Sequence, residues 1–205
     1  ARDESVLFQV DDAWYTADFG QNLRHIFSAD PQLDFFFCRY GSHPEALDAG
    51  ETFQLASIAD VMKNASSITI FASGHAVRAT GGMDEELGVG AKFRGGEDTD
   101  FALRLASVSR KTMWTPRALV GHRDKIGLDA SRYYIGALAA IARNTNRQPA
   151  MYYQVLRKIA VGGYYVLRGR LSLWRWIADT VQALSASRPA QASRTGAFLA
   201  KSPSS

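Results

Sequence analysis

The chain has 205 residues, 46% of them hydrophobic, and 24 Lys and Arg against 20 Asp and Glu leave a formal charge of +4. That length holds one domain with a real core plus appendages; the mildly basic balance favours anionic partners such as nucleotides, phosphates or an anionic membrane face, and is too small to argue for nucleic acid. The single cysteine, Cys38, excludes an internal disulfide and fits a reducing compartment, and no apolar run reaches the ~18 residues of a membrane span.

Ser5–Val10 reads as a short buried strand ended by Asp11 and Asp12. It starts almost at the first residue, which is Ala1 and not Met, and no signal peptide precedes it, so a piece of a longer polypeptide is expected. Thr16–Ala29 predicts a helix closed by Asp30–Pro31, and Leu33–Arg39 (LDFFFCR) a second strand with Cys38 as a buried strand residue. Phe53–Asn64 predicts a helix, Ser67–Ala72 a third strand and Gly74–Thr80 a short helix. A long glycine-dotted loop leads to an amphipathic helix over Glu97–Ser109. Lys111–Trp114 is a short strand with Pro116 after it. Helices alternating with strands predict a layered α/β fold. Beyond about Asp129 the pattern changes to three helices, Ser131–Asn144, Pro149–Arg168 and Leu171–Ser187, and from Arg188 to a Ser, Ala and Pro tail expected to be disordered. The expected organisation is therefore 1–128, 129–187 and 188–205.

The acids cluster at the ends of elements. Asp11–Asp12 follows a strand, where ligands bind in open α/β sheets. Adjacent carboxylates there suit a divalent cation on phosphates, although a turn with a helix cap uses the same residues. At the start of the 97–109 helix, spacing separates the acids. Asp98 lines up with Phe101, Ala102, Leu105 and Val108 and is expected to look inward; Asp100 lines up with Arg104 as a surface ion pair worth a few tenths of a kcal/mol. The helix N-terminus keeps Asp98 ionised, as a general base must be, while simple capping would also place acids there. His122 is ordinarily structural, and becomes a candidate Mn²⁺ or Mg²⁺ ligand if it meets Asp12.

The ordered segments VDDAWYTADF, SGHAVRATGGMDEELGVG, GGEDTDFALRL and TPRALVGH resemble the signature of family 2 glycosyltransferases of the GT-A fold, over about residues 5 to 123. The resemblance implies an α/β, Rossmann-like mixed sheet, here incomplete at its N-terminus and followed by a helical extension. It implies an inverting, metal-dependent transfer of a sugar from a nucleotide-sugar to an acceptor hydroxyl. Asp11 and Asp12 match the D-x-D-type motif, Asp12 as the expected ligand of Mg²⁺ or Mn²⁺ on the diphosphate, and His122 matches the histidine that completes that site. Where relatives often have a third acid, this chain has Val10. Asp98 matches the base that deprotonates the acceptor, and Glu97 a neighbour that orients it or contacts the acceptor. Gly81–Glu85 matches a pocket-lining segment in which Gly82, Asp84 and Glu85 meet donor or acceptor, with Gly74 and Gly96 assigned to the same pocket. The loop with glycines 88, 90, 95 and 96 is expected to close over the donor, with Lys92 and Arg94 on it either meeting phosphate or simply solvated.

In that family the nucleotide is bound mainly by a half upstream of the acidic motif, so the resemblance implies a C-terminal portion, inactive alone. A sugar or lipid-linked acceptor, a cell-envelope polysaccharide product and a cytoplasmic location, peripheral on the inner face of the plasma membrane, complete the expectation. Tail residues Arg157, Lys158, Arg168, Arg170 and Arg175 interleave with Tyr152, Tyr153, Tyr164, Tyr165, Trp174 and Trp176, which suits a helix lying on a membrane as well as an appendage packed on protein. Two other readings stand: a non-catalytic sugar- or nucleotide-binding module of the same fold, and a metal-dependent phosphoryl hydrolase using Asp11, Asp12, Asp98 and His122, for which no nucleophile or second metal site is evident.

Overall fold

A computed structural model describes residues 5–7, 13–48, 50–123, 130–147 and 149–185. Asp11, Asp12 and the 188–205 tail therefore lie outside the described residues.

Among the described residues one mixed sheet runs in the order β1 (Ser5–Leu7), β5 (Ile70–Ser73), β3 (Leu33–Gly41), β6 (Lys111–His122), β2 (Ala13–Trp14), and β4 (Gln54–Leu55) pairs with β6 as well. Strands β3 and β6 are parallel; the other pairs are antiparallel. Together with α1 (Phe19–Ala29), α2 (Ile58–Asn64), α3 (Gly74–Thr80), α4 (Glu97–Val108), α5 (Tyr134–Arg143), α6 (Ala150–Leu167) and α7 (Leu173–Ser185) this is a mixed α/β fold with helices at its C-terminal end.

The unbroken apolar run in β3 has a simple cause: both faces of the strand are covered. Side chains alternate across a strand. Phe35 and Phe37 enter one core with Phe101, Leu105, Leu138 and Met151, while Phe36 and Cys38 enter the other with Phe19, Leu23 and Ile26 of α1. Helices α5, α6 and α7 share the first core, through Ile141, Val155 and Ala183.

Several element boundaries differ from expectation, and two of the differences have a clear local reason. The helix expected from Phe53 begins at Ile58, because Ser57 and Asp60 form a capping box: the Ser57 hydroxyl accepts from the Asp60 N–H and the Asp60 carboxylate accepts from the Ser57 N–H. The residues before it pair with β6. The strand expected to stop at Trp114 runs on to His122. Its register with β3 shifts between the pairs Phe37–Trp114 and Arg39–Ala118, and this bulge absorbs Pro116, which cannot donate to a ladder. The extension carries His122 to the edge strand β2, where it pairs with Ala13.

Candidate functional site

The start of α4 is built by backbone contact. Gly96 occupies the N-cap in the left-handed region (φ 87°). A Cβ on Gly96 would strike the Gly136 carbonyl of α5, and one on Gly136 would strike the Gly95 carbonyl. Glycines at 95, 96 and 136 thus let the 81–96 loop lie directly on α5.

The acids opening α4 have different fates, and they correct the expectation from spacing. Asp100 is the buried one, 3% exposed. Its carboxylate accepts from Arg104 Nε at 2.7 Å and from Asn144 Nδ2 at 2.9 Å. Arg104 Nη1 also donates to the carbonyls of Thr80 and Gly82. The Asp100–Arg104 pair is therefore an interior bracket joining α4, α5 and the loop, not a surface pair. Spacing misjudged it because α4 is packed by α2, α3 and α5 together. Its buried residues, Asp100, Phe101, Ala102, Leu103 and Leu105, surround the helix and do not form one stripe. Asp98 is half-buried, and among the described residues nothing hydrogen-bonds or pairs with its carboxylate. It stands in the first turn of α4. Glu97 is also half-buried, its carboxylate against the backbone of Gly88.

In the preceding loop the expected sugar-contacting acids separate. Asp84 is bound by Arg143 Nη1 and accepts from the Glu86 N–H at 2.9 Å. Arg143 Nη2 holds Glu86 at 2.5 Å, and its guanidinium lies 4.9 Å from the Phe93 ring centre. Glu85 is exposed and has no partner among the described residues. Gly82 offers its carbonyl to Arg104, and Gly74 is buried at the start of α3, whose N-cap Ser73 accepts from the Ala76 N–H. Of the residues that organise this region, Arg143 and Asn144 went unassigned in the sequence, and Arg104 was read there only as a surface partner of Asp100. Arg143 reaches acids 57 and 59 residues away, and no local pattern announces such a pairing.

At the other part of the candidate site, His122 ends β6 and is 3% exposed. Its ring meets Tyr40 edge-on with centroids 5.3 Å apart. The Trp14 indole covers Gly121, where any Cβ would displace it. Ala13, covalently next to Asp12, is the ladder partner of His122. Among the described residues no group of three or more His, Cys, Asp or Glu side chains could hold a metal. One imidazole is an insufficient set for a hard divalent cation, which needs oxygen ligands. An open cleft of about 270 Å³ lined by Arg39, Tyr40, Lys63 and Asn64 contains none of the sequence-predicted site residues.

The chain matches no protein-family model and no curated protein.

Proposed function

We propose that this chain carries the acceptor-activating part of an inverting glycosyltransferase of the family 2, GT-A type. The observation that carries this reading is the contrast at the start of α4. Two neighbouring acids of similar sequence context diverge: Asp100 is consumed by Arg104 and Asn144, and Asp98 is half-buried with no partner for its carboxylate among the described residues. A carboxylate that no neighbouring side chain occupies is available to take the proton of an acceptor hydroxyl.

In the proposed reaction Asp98 takes the proton of the acceptor hydroxyl. The hydroxyl oxygen bonds to the anomeric carbon as that carbon's bond to the diphosphate oxygen breaks, and a single displacement inverts the centre. Glu97, against Gly88, and Glu85, exposed on the same loop, are placed in this reading to meet sugar hydroxyls. Asp84 is assigned instead to holding the loop through Arg143. Mg²⁺ or Mn²⁺, when bound, would neutralise the charge growing on the leaving nucleoside diphosphate. The residues proposed to hold it are Asp12 and His122 with Asp11, supported by the pairing of His122 with the residue next to Asp12.

The test is transfer from a panel of nucleotide-sugars with Mg²⁺ or Mn²⁺, in the longest polypeptide containing this chain. The Asp98→Asn variant is expected to lose roughly 10²–10⁴-fold in kcat, the ordinary contribution of a positioned base, with a melting temperature lowered by at most about 4 °C. Full transfer by that variant would remove Asp98 from the chemistry. Donor binding with no transfer by the unaltered protein would favour the binding-module reading.

A further inference from the structure

Helices α6 and α7 are apolar on two sides: Met151, Val155, Ile159, Val166, Trp176 and Ala183 pack on the core, and a second apolar line faces outward. On α6, Met151, Val155 and Gly162 point inward. The outward line is Tyr153, Leu156, Ala160, Tyr164 and Leu167, spaced three and four residues apart, with Leu156 67% and Leu167 86% exposed. On α7 the inward residues are Trp176, Asp179 and Ala183. The outward ones are Leu173, Ile177, Val181 and Leu184 at the same spacing, flanked by Trp174 at 80% exposure. A helix packed on a globular core and facing water carries polar residues on that second side. Aromatic and aliphatic surface of this extent marks an interaction site.

The charges say what kind of surface fits. Arg157, Arg168, Arg170 and Arg175 are exposed along the two helices. The one carboxylate in residues 149–185, Asp179, is 5% exposed. Within residues 149–185 the face therefore offers apolar groups and cations with no exposed carboxylate, Asp179 being turned to Arg175 at 3.6 Å. A second copy of the chain meets it badly, because a two-fold interface sets the same patch against itself and arginine against arginine. Among the described residues no helix is long and apolar enough to cross a bilayer, so the fitting geometry is a helix lying in the headgroup region, tyrosines and tryptophan at its polar boundary. We propose that α6 and α7 dock on an anionic lipid surface, with Leu156, Leu167 and Trp174 entering the acyl boundary and the arginines on lipid phosphates. This is independent of the catalytic reading.

Flotation of the 205-residue chain with phosphatidylcholine vesicles, and with vesicles that also contain phosphatidylglycerol, tests it. The expected result is binding to the anionic vesicles only, weakened by salt, with a blue shift of tryptophan emission. The Arg157→Gln/Arg168→Gln/Arg170→Gln variant should bind roughly a hundredfold more weakly, at about fivefold per basic residue near an anionic surface. Leu156→Ser/Trp174→Ser should lose binding and the blue shift. Both variants alter exposed side chains, and an unchanged thermal melt shows that they fold. Absence of binding at low salt overturns the proposal, as does equal binding to neutral and anionic vesicles. A dimer by light scattering that dissociates in Leu156→Ser/Trp174→Ser, without lipid binding, would assign the face to a second copy.

Discussion

At Asp100 the carboxylate takes Arg104 on one oxygen and Asn144 on the other, in a position water hardly reaches. Removing one member of a buried pair leaves the other charged and uncompensated, at a cost of about 3–5 kcal/mol. Asp100→Ala is therefore expected to lower the melting temperature strongly, whereas Asp98→Asn, losing only a favourable helix-end charge, should cost at most about 1 kcal/mol. Thermal melts of the two variants side by side check this; equal destabilisation would mean that Asp98 also has a structural partner. A third carboxylate gives a pH signature. Burial alone would raise the pKa of Asp34, but the Arg110 side chain and N–H and the Ser73 hydroxyl outweigh it and hold it at about 2. A folded-state pKa below the unfolded value of about 3.9 stabilises the fold above that pH, and the contribution is lost as pH falls toward the folded value. Acid melts should show stability falling between about pH 4 and pH 2, with a shallower fall in Asp34→Asn. Local spacing was enough to separate Asp98 from Asp100. It assigned their environments the wrong way round, because i, i+4 geometry shows which residues share a face and not how many faces are covered.

Among the elements, the loop before α4 depends on α5. Its glycines at 95 and 96 touch Gly136, and Asp84 and Glu86 are gripped by Arg143. Gly136→Ala would force a methyl group into the Gly95 carbonyl, an overpacking that typically costs about 1–3 kcal/mol. A fully stable variant would show that the loop can retreat from the helix. Arg143→Ala should loosen the loop while sparing the sheet. Trypsin should then cut faster at exposed Lys92 and Arg94, and unchanged cutting would mean that Arg143 does not restrain them. The glycine-dotted loop and the helix after it were plain in the sequence. Their anchorage was not, since Arg143 lies in a helix that composition groups with the tail. In the same way Pro116 read as the end of a strand, and only the opposing strand β3 shows that a bulge lets β6 continue to His122.

At the scale of the whole molecule, α5 to α7 are part of the core that covers one face of the sheet. Leu138, Ile141, Met151 and Val155 pack in the same cluster as Phe35, Phe37, Phe101 and Leu105. A chain cut after residue 128 would expose those phenylalanines. It is expected to lack a cooperative thermal transition, and a sharp melt of that piece would show instead that the sheet folds without the helices. The alternation of strands and helices, the apolar run of β3, the clustering of acids at helix and strand ends and the basic, aromatic tail were all determined by the sequence itself. Each rests on interactions within a few residues, where period and propensity act. The tertiary structure alone decided which acid of α4 is buried, that Asp84 answers to Arg143, that β6 passes Pro116 to set His122 beside Ala13, and that α6 and α7 carry a second apolar line outward besides the one on the core. Those outcomes depend on what packs opposite each residue from a distant part of the chain, and a side chain's own neighbours in sequence carry no record of it.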